Sequence, residues 1–206
     1  NKFARIPKCL GVKNHENDFL VVMEDLDHSG FQERKSFVNE NELESCIRWL
    51  AKFHAYFMGK SSNGLWETGT YWHLETRPDE LEQLDDLNLK KAASAIDAKL
   101  KNSTFQTLVH GDAKLANFCF NNDGTKVAAV DFQYVGGGCG MKDLAYFVGS
   151  CFRDKEAEDR EKEVLELYFE VLADSMKSLN KDQNLEELIE DWRSLYRVAW
   201  ADFHRF

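Results

Sequence analysis

Apolar residues recur at helical spacing in four stretches of the chain. Leu43, Cys46, Ile47, Leu50, Phe53, His54 and Phe57 predict an amphipathic helix over residues 39–58, with Gly59 as its stop. Residues 78–101 read as a second helix. Pro78 suits its first turn, Asp79, Glu80 and Glu82 suit the positive end of its dipole, and Leu81, Leu84, Ala92, Ile96 and Leu100 form a partial stripe. Residues 155–178 and 184–205 predict two more helices, and 143–152 a shorter one opened by Asp143 as an N-cap. Phe19, Leu20, Val21, Val22 and Met23 follow one another within 18–24, the pattern of a strand covered on both faces. Residues 1–11 read as an extended connection. His54 lies on the apolar stripe and reads as a satisfied core histidine. Trp66, Tyr71, Trp72 and His73 can pack on the core or reach towards a substrate, and packing is the favoured reading.

The stretch 108–133, LVHGDAKLANFCFNNDGTKVAAVDFQ, carries the chemistry. Residues 105–109 can form a short buried strand leading into His110-Gly111-Asp112. Residues 118–120 and 127–130 are strand-length apolar runs, and Asn121-Asn122-Asp123-Gly124 between them is turn chemistry. Such a hairpin places Asn117 at the start of one strand and Asp131 at the end of the other, beside Asp112. A carboxylate and an amide oxygen suit a hard cation such as Mg2+, and the remaining carboxylate suits a substrate hydroxyl. Phosphoryl transfer needs these parts, because positioning and charge neutralisation supply most of its catalysis.

Composition narrows the class. The chain has 206 residues, 43% hydrophobic and 13% aromatic, as expected of a globular domain. No apolar run reaches membrane-spanning length and no secretory signal is visible. A net charge of −10 argues against a nucleic-acid partner and is compatible with a cationic substrate. Five cysteines without a C-x-x-C pair read as reduced thiols, which places the protein in the cytoplasm.

Asp112, Lys114 and Asn117 resemble the catalytic loop of protein-kinase-like folds, and Asp131-Phe132-Gln133 stands where protein kinases have Asp-Phe-Gly. The His-Gly-Asp form resembles the aminoglycoside phosphotransferase and choline kinase superfamily. The continuation VDFQYVGGGCGMKDLAYFVGSC is most similar to its choline-kinase-like, ecdysteroid-kinase-like branch. LVVMEDL at 20–26 resembles the superfamily's hinge strand, and LAKFHAYF at 50–57 its first large C-lobe helix.

The resemblance implies an α+β, mainly α fold: the C-terminal lobe of a protein-kinase-like fold with a small catalytic β-hairpin, the N-terminal lobe largely absent. Residues 1–26 would be the end of the small lobe and the hinge, and 27–206 the helical catalytic lobe. No glycine-rich phosphate loop precedes Phe19, and 136–140 reads as a flexible loop instead. A chain lacking the small lobe is expected to bind ATP poorly.

The implied activity is ATP- and Mg2+-dependent phosphorylation of a small-molecule hydroxyl on a choline-like, ethanolamine-like, aminoglycoside-like or sterol-like acceptor. Asp112 would be the base, Lys114 would approach the transferred phosphate, and Asn117 and Asp131 would hold the metal. Met23, Glu24, Asp25 and Leu26 would meet adenine, His110 would brace the loop, and Asp143 would tie its helix to the loop backbone. Trp200 and Asp202 would receive a cationic acceptor by aromatic and carboxylate contact. The alternative is a catalytically silent kinase-like binding module, against which the intact Asp112, Asn117 and Asp131 argue.

Overall fold

Side-chain chemistry caps the start of three of the six α-helices among the described residues. In the computed structural model, which describes residues 3–16 and 18–205, Asn39 and Glu42 form a reciprocal capping box. The Asn39 side chain accepts from the Glu42 amide at 3.0 Å and the Glu42 carboxylate accepts from the Asn39 amide at 2.8 Å. Helix α1 (Glu40–Phe57) starts there, and Gly59, at φ +71°, turns the chain away from it.

The helix expected over 78–101 is two, α2 (Pro78–Gln83) and α3 (Leu87–Lys101). The break has a local cause. Asp86 accepts from the amides of Asn88 and Leu89 at 2.9 and 3.0 Å, so it caps a new helix rather than continuing the old one. Helix α4 (Met141–Cys151) begins two residues earlier than expected, which puts Asp143 inside its first turn and Gly140 at the cap. Helices α5 (Asp154–Ser178) and α6 (Leu185–His204, capped by Asn184) complete the set. Helix α1 packs against α5, and α3 and α4 pack against α6. Their buried stripes meet in one core that includes Leu50, Phe147, Tyr168, Leu172 and Trp192.

Three two-stranded antiparallel sheets accompany the helices among the described residues. The expected catalytic hairpin is present as β4 (Phe118–Phe120) and β5 (Val127–Ala129), with Phe118 opposite Ala129 and Phe120 opposite Val127. Two expectations fail. The stretch read as a strand covered on both faces pairs only with its predecessor, β1 (Cys9–His15) with β2 (Asp18–Met23), and β1 occupies part of what read as an extended connection. Every described residue of this ribbon is exposed, Phe19 at 77%.

The second failure is the glycine run. Gly136–Gly138 is not a flexible loop but a strand, β6, paired with β3 (Thr107–Val109). A second segment runs along its other edge, with Gly137 N donating to Trp66 O at 3.1 Å and Gly69 N to Gly137 O at 2.8 Å. A β carbon on Gly136 would stand 2.3 Å from Trp66 O, so only bare backbone fits between the two neighbours. No described helix is long and apolar enough to cross a membrane.

Candidate active site

The loop after β3 is tied down from three directions. Gly111 adopts φ +84°, and a β carbon there would lie 2.1 Å from Tyr134 O. His110 is fully buried, with Nε2 donating to Val130 O at 2.9 Å and Nδ1 accepting from the Asp112 amide at 3.2 Å. Burial pushes its pKa down, so the neutral ring with its proton on Nε2 satisfies both contacts. His110 therefore joins the start of the loop to the residue before Asp131.

Asp143, also fully buried, accepts from the amides of His110 at 2.5 Å and Gly111 at 3.0 Å. The His54 ring nitrogen Nε2 lies 3.0 Å from the same carboxylate, and its Nδ1 lies 2.6 Å from the Tyr168 hydroxyl. Burial alone would raise the Asp143 carboxyl, but His54, His110 and the Gly111 amide together hold it below the usual carboxylate range.

Asp112 is 3% exposed. Its Oδ2 accepts from Asn117 Nδ2 at 2.9 Å and from Lys114 Nζ at 3.0 Å. Its Oδ1 is buried and has no hydrogen-bond partner among the described residues. Asn117 Nδ2 also donates to Asp112 O at 2.7 Å, which turns its amide oxygen away from Asp112. The Asp112 carboxylate, by hydrogen bond first, raises the pKa of Lys114 and keeps it charged. Val130 N donates to Asn117 O at 3.0 Å, so Asn117 and Asp131 stand at neighbouring strand ends. Asp131 is exposed and sits at φ +66°, a left-handed backbone that Asp tolerates better than most residues.

Residues 1–60 and 61–181 match the ecdysteroid kinase-like family. The chain belongs to that family. No curated protein sequence matches it. Its fold aligns with the aminoglycoside phosphotransferase APH(3'')-Id of Streptomyces rimosus, solved with ADP and streptomycin, at a TM-score of 0.57 and 14% identity, over 98% of this chain and 75% of that one. It aligns with a choline/ethanolamine kinase family protein of Mesorhizobium loti at a TM-score of 0.53 and 14% identity, over 96% and 78% of the two chains. At such identity the likeness is one of fold.

In this ecdysteroid kinase-like chain the segment 23–26 lies against the outer part of the hairpin. Leu26 packs on Cys119 and Ala128, while Met23 is exposed. Glu24 takes the Arg5 guanidinium at 2.5 Å, the Ser29 hydroxyl at 2.7 Å and the Lys8 amide at 3.0 Å. These contacts, Arg5 first, hold its pKa at about 2. Asp25 binds His28 Nδ1 at 2.7 Å and the Asp27 amide at 2.9 Å, and His28 lowers its pKa most.

The structure does not bring Trp200 and Asp202 into one pocket. Asp202 is fully buried. It accepts from Trp72 Nε1 at 2.9 Å, pairs with Arg205 at 3.0 Å and lies 3.6 Å from Lys142 Nζ. Trp200 stacks on His204 and faces α5 across a separate cleft with Asp154 and Glu158. Residues two apart on a helix point in different directions, which a list of residue types does not reveal.

Tyr146, which the sequence reading missed, stands near Asp112 and packs against Tyr71 of the aromatic group. Their rings lie 5.5 Å apart, and burial, the Tyr71 hydroxyl and the Asp112 carboxylate push the Tyr146 phenol well above its usual pKa. The available signal was helical spacing: Tyr146 follows Asp143 by three residues and so shares its face of α4.

Proposed function

We propose that this chain carries the phosphoryl-transfer site of an ATP- and Mg2+-dependent small-molecule kinase. The observation that carries the reading is the Asp112 carboxylate, fixed through one oxygen by Asn117 and Lys114 while the other has no hydrogen-bond partner among the described residues, with the Tyr146 phenol nearby. A buried acceptor without a donor is costly unless a ligand supplies one, and a substrate hydroxyl would do so. Asp112 orients that hydroxyl and takes its proton, and Lys114 sets a fixed positive charge beside it. His110 and Asp143 hold the loop backbone and do not touch the reacting groups.

The donor set fits Mg2+. Asn117 Oδ1 and the Asp131 carboxylate are oxygen ligands, and no group of three or more His, Cys, Asp or Glu among the described residues competes for a softer metal. Bound there, the ion would neutralise charge on the nucleotide phosphates. Residues 23–26 are proposed to meet adenine, with 1–26 as the end of the small lobe and the hinge and 27–206 as the catalytic lobe. ADP in the Streptomyces rimosus relative supports a nucleotide partner. The acceptor is an alcohol of the choline-like, aminoglycoside-like or sterol-like classes.

The test is Mg2+-dependent ADP release by the full-length protein with a panel of amino alcohols, aminoglycosides and sterols, beside Asp112→Asn. Acceptor-stimulated release that falls roughly 10²–10⁴-fold in the variant is the expected result. No release with any acceptor by a folded protein would sink the activity for this panel. Tight Mg-ATP binding without release would then favour the silent binding module.

A further inference from the structure

A second cleft lies on the far side of the catalytic hairpin, between α1, the β4–β5 turn and the segment that carries Arg5. Its volume is about 250 Å³. Arg5, Arg48, Lys52 and Lys126 line it together with Trp49 and Phe31, and no acidic side chain does. This runs against a composition of 36 acidic and 26 basic residues. Asp112, Asn117 and Asp131 take no part in it.

The walls are fixed by bonds that leave most of the charged tips free. Trp49 Nε1 and Ala129 N both donate to Arg5 O, at 2.9 and 3.1 Å, and the Ser45 hydroxyl donates to Gly124 O at 2.7 Å. Arg5 is the one cation firmly engaged, with Glu24 at 2.5 Å and its guanidinium over Phe31. Arg48 reaches Glu44 only at 3.4 Å across exposed side chains. Lys52 and Lys126 form no salt bridge among the described residues, although Lys126 stands close enough to Asp123 to help lower its pKa. Four cations from three separate segments therefore line one cavity that no carboxylate lines, and Lys52 and Lys126 are left without a salt bridge among the described residues, so the cavity carries an excess of positive charge.

We propose that this cleft binds a phosphate dianion, either free or as the monoester of a small organic group. Guanidinium and ammonium groups supply charge-assisted hydrogen bonds to such an anion. Trp49, Phe31 and Val127 offer an apolar wall to any organic group the phosphate carries. No covalent step is involved, so the site stands whether or not the chain transfers phosphate.

The experiment uses the full-length protein without nucleotide or Mg2+. Inorganic phosphate and phenyl phosphate are titrated by calorimetry and by the NMR shift of the Trp49 indole N–H. Saturable binding that moves this signal is expected, weakened tenfold or more by the pair Lys52→Glu and Lys126→Glu and unchanged by Asp131→Asn. Lys126 is exposed and Lys52 half-buried, and the milder pair Lys52→Gln and Lys126→Gln, expected to weaken binding less, guards against misfolding by charge reversal. Tighter binding of phenyl phosphate assigns the site to a phosphorylated small molecule, and equal binding assigns it to free phosphate. No saturation by about 10 mM, corresponding to binding weaker than roughly 3 kcal/mol, overturns the proposal. So does binding that survives both lysine pairs or disappears with Asp131→Asn.

Discussion

His54 Nε2 lies 3.0 Å from Asp143 Oδ2, and neither side chain reaches solvent. Through this contact α1 supports α4, and α4 in turn holds the amides of His110 and Gly111. Asp143→Ala removes the acceptor of all three donors at once. A loss of roughly 3–5 kcal/mol is expected, the usual cost of stranding buried polar partners. Asp143→Asn, which keeps one oxygen, is expected to cost less. Urea unfolding of the two variants against the unaltered chain decides the order.

Stability will depend on pH through histidines held neutral. Burial lowers the pKa of His110, and burial followed by the Lys101 and Lys142 charges lowers that of His73, both from 6.5. Below pH 6.5 the unfolded chain takes protons that the folded chain refuses, so stability falls as pH drops from there towards the folded values. The slope is at most about 1.4 kcal/mol per pH unit for each group. Unfolding midpoints between pH 8 and 5.5 should show this fall, and His73→Asn should reduce its slope. Asp143 acts in a separate window. Its depressed pKa gives stability that is present above 3.8 and lost as pH falls through the lower folded value.

Two glycines with nearly the same positive φ separate strain from crowding. Gly30 has φ +87° with open space where a β carbon would be, and Gly111 has φ +84° with Tyr134 O in that space. Gly30→Ala should cost about 1 kcal/mol, the backbone penalty alone. Gly111→Ala should cost several times more, because the loop or Tyr134 must move. Denaturant unfolding of the two variants gives the comparison, and equal losses would show that the loop gives way freely.

Asp202 is expected to act through folding. Asp202→Ala strands the buried cations Lys142 and Arg205, at a cost of roughly 3–5 kcal/mol. Adding Lys142→Met should recover part of the loss by removing one stranded charge. Thermal or urea unfolding of the single and double variants checks this, and a single variant as stable as the unaltered chain would return Asp202 to consideration as a ligand residue.

Much of the fold was legible because it rests on side-chain chemistry. The Asn121–Gly124 turn, Gly59 after α1 and the apolar stripes of α1, α5 and α6 each announce an element or its limit. The loop residues Asp112, Asn117 and Asp131 were legible as a set because their spacing and the hairpin between them are both local. What could not be read depends on contacts between distant segments. β6 carries no side chains and so no pattern, and its strand character comes from β3 and Trp66. The Phe19–Met23 run has the composition of a covered strand but meets no covering element among the described residues. Asp202 and Trp200 read as one acidic and aromatic group, although helical geometry turns them towards different neighbours. Tyr146 became notable only once α4 was seen to face Asp112.

The bare strand Gly136–Gly138 acts as a spacer whose thickness cannot be adjusted by substitution. The loop behind Val109 and the Trp66–Tyr71 segment are kept apart by peptide planes alone, about 4.8 Å per step. A methyl group anywhere in that gap would act as a shim, shifting the aromatic wall and the Asp112 loop relative to each other. Tolerance at the site is therefore governed from two directions. The exposed Trp66 and the half-buried Tyr134 can change their chemistry while the gap stays constant, which lets the wall be remodelled without disturbing the group it faces.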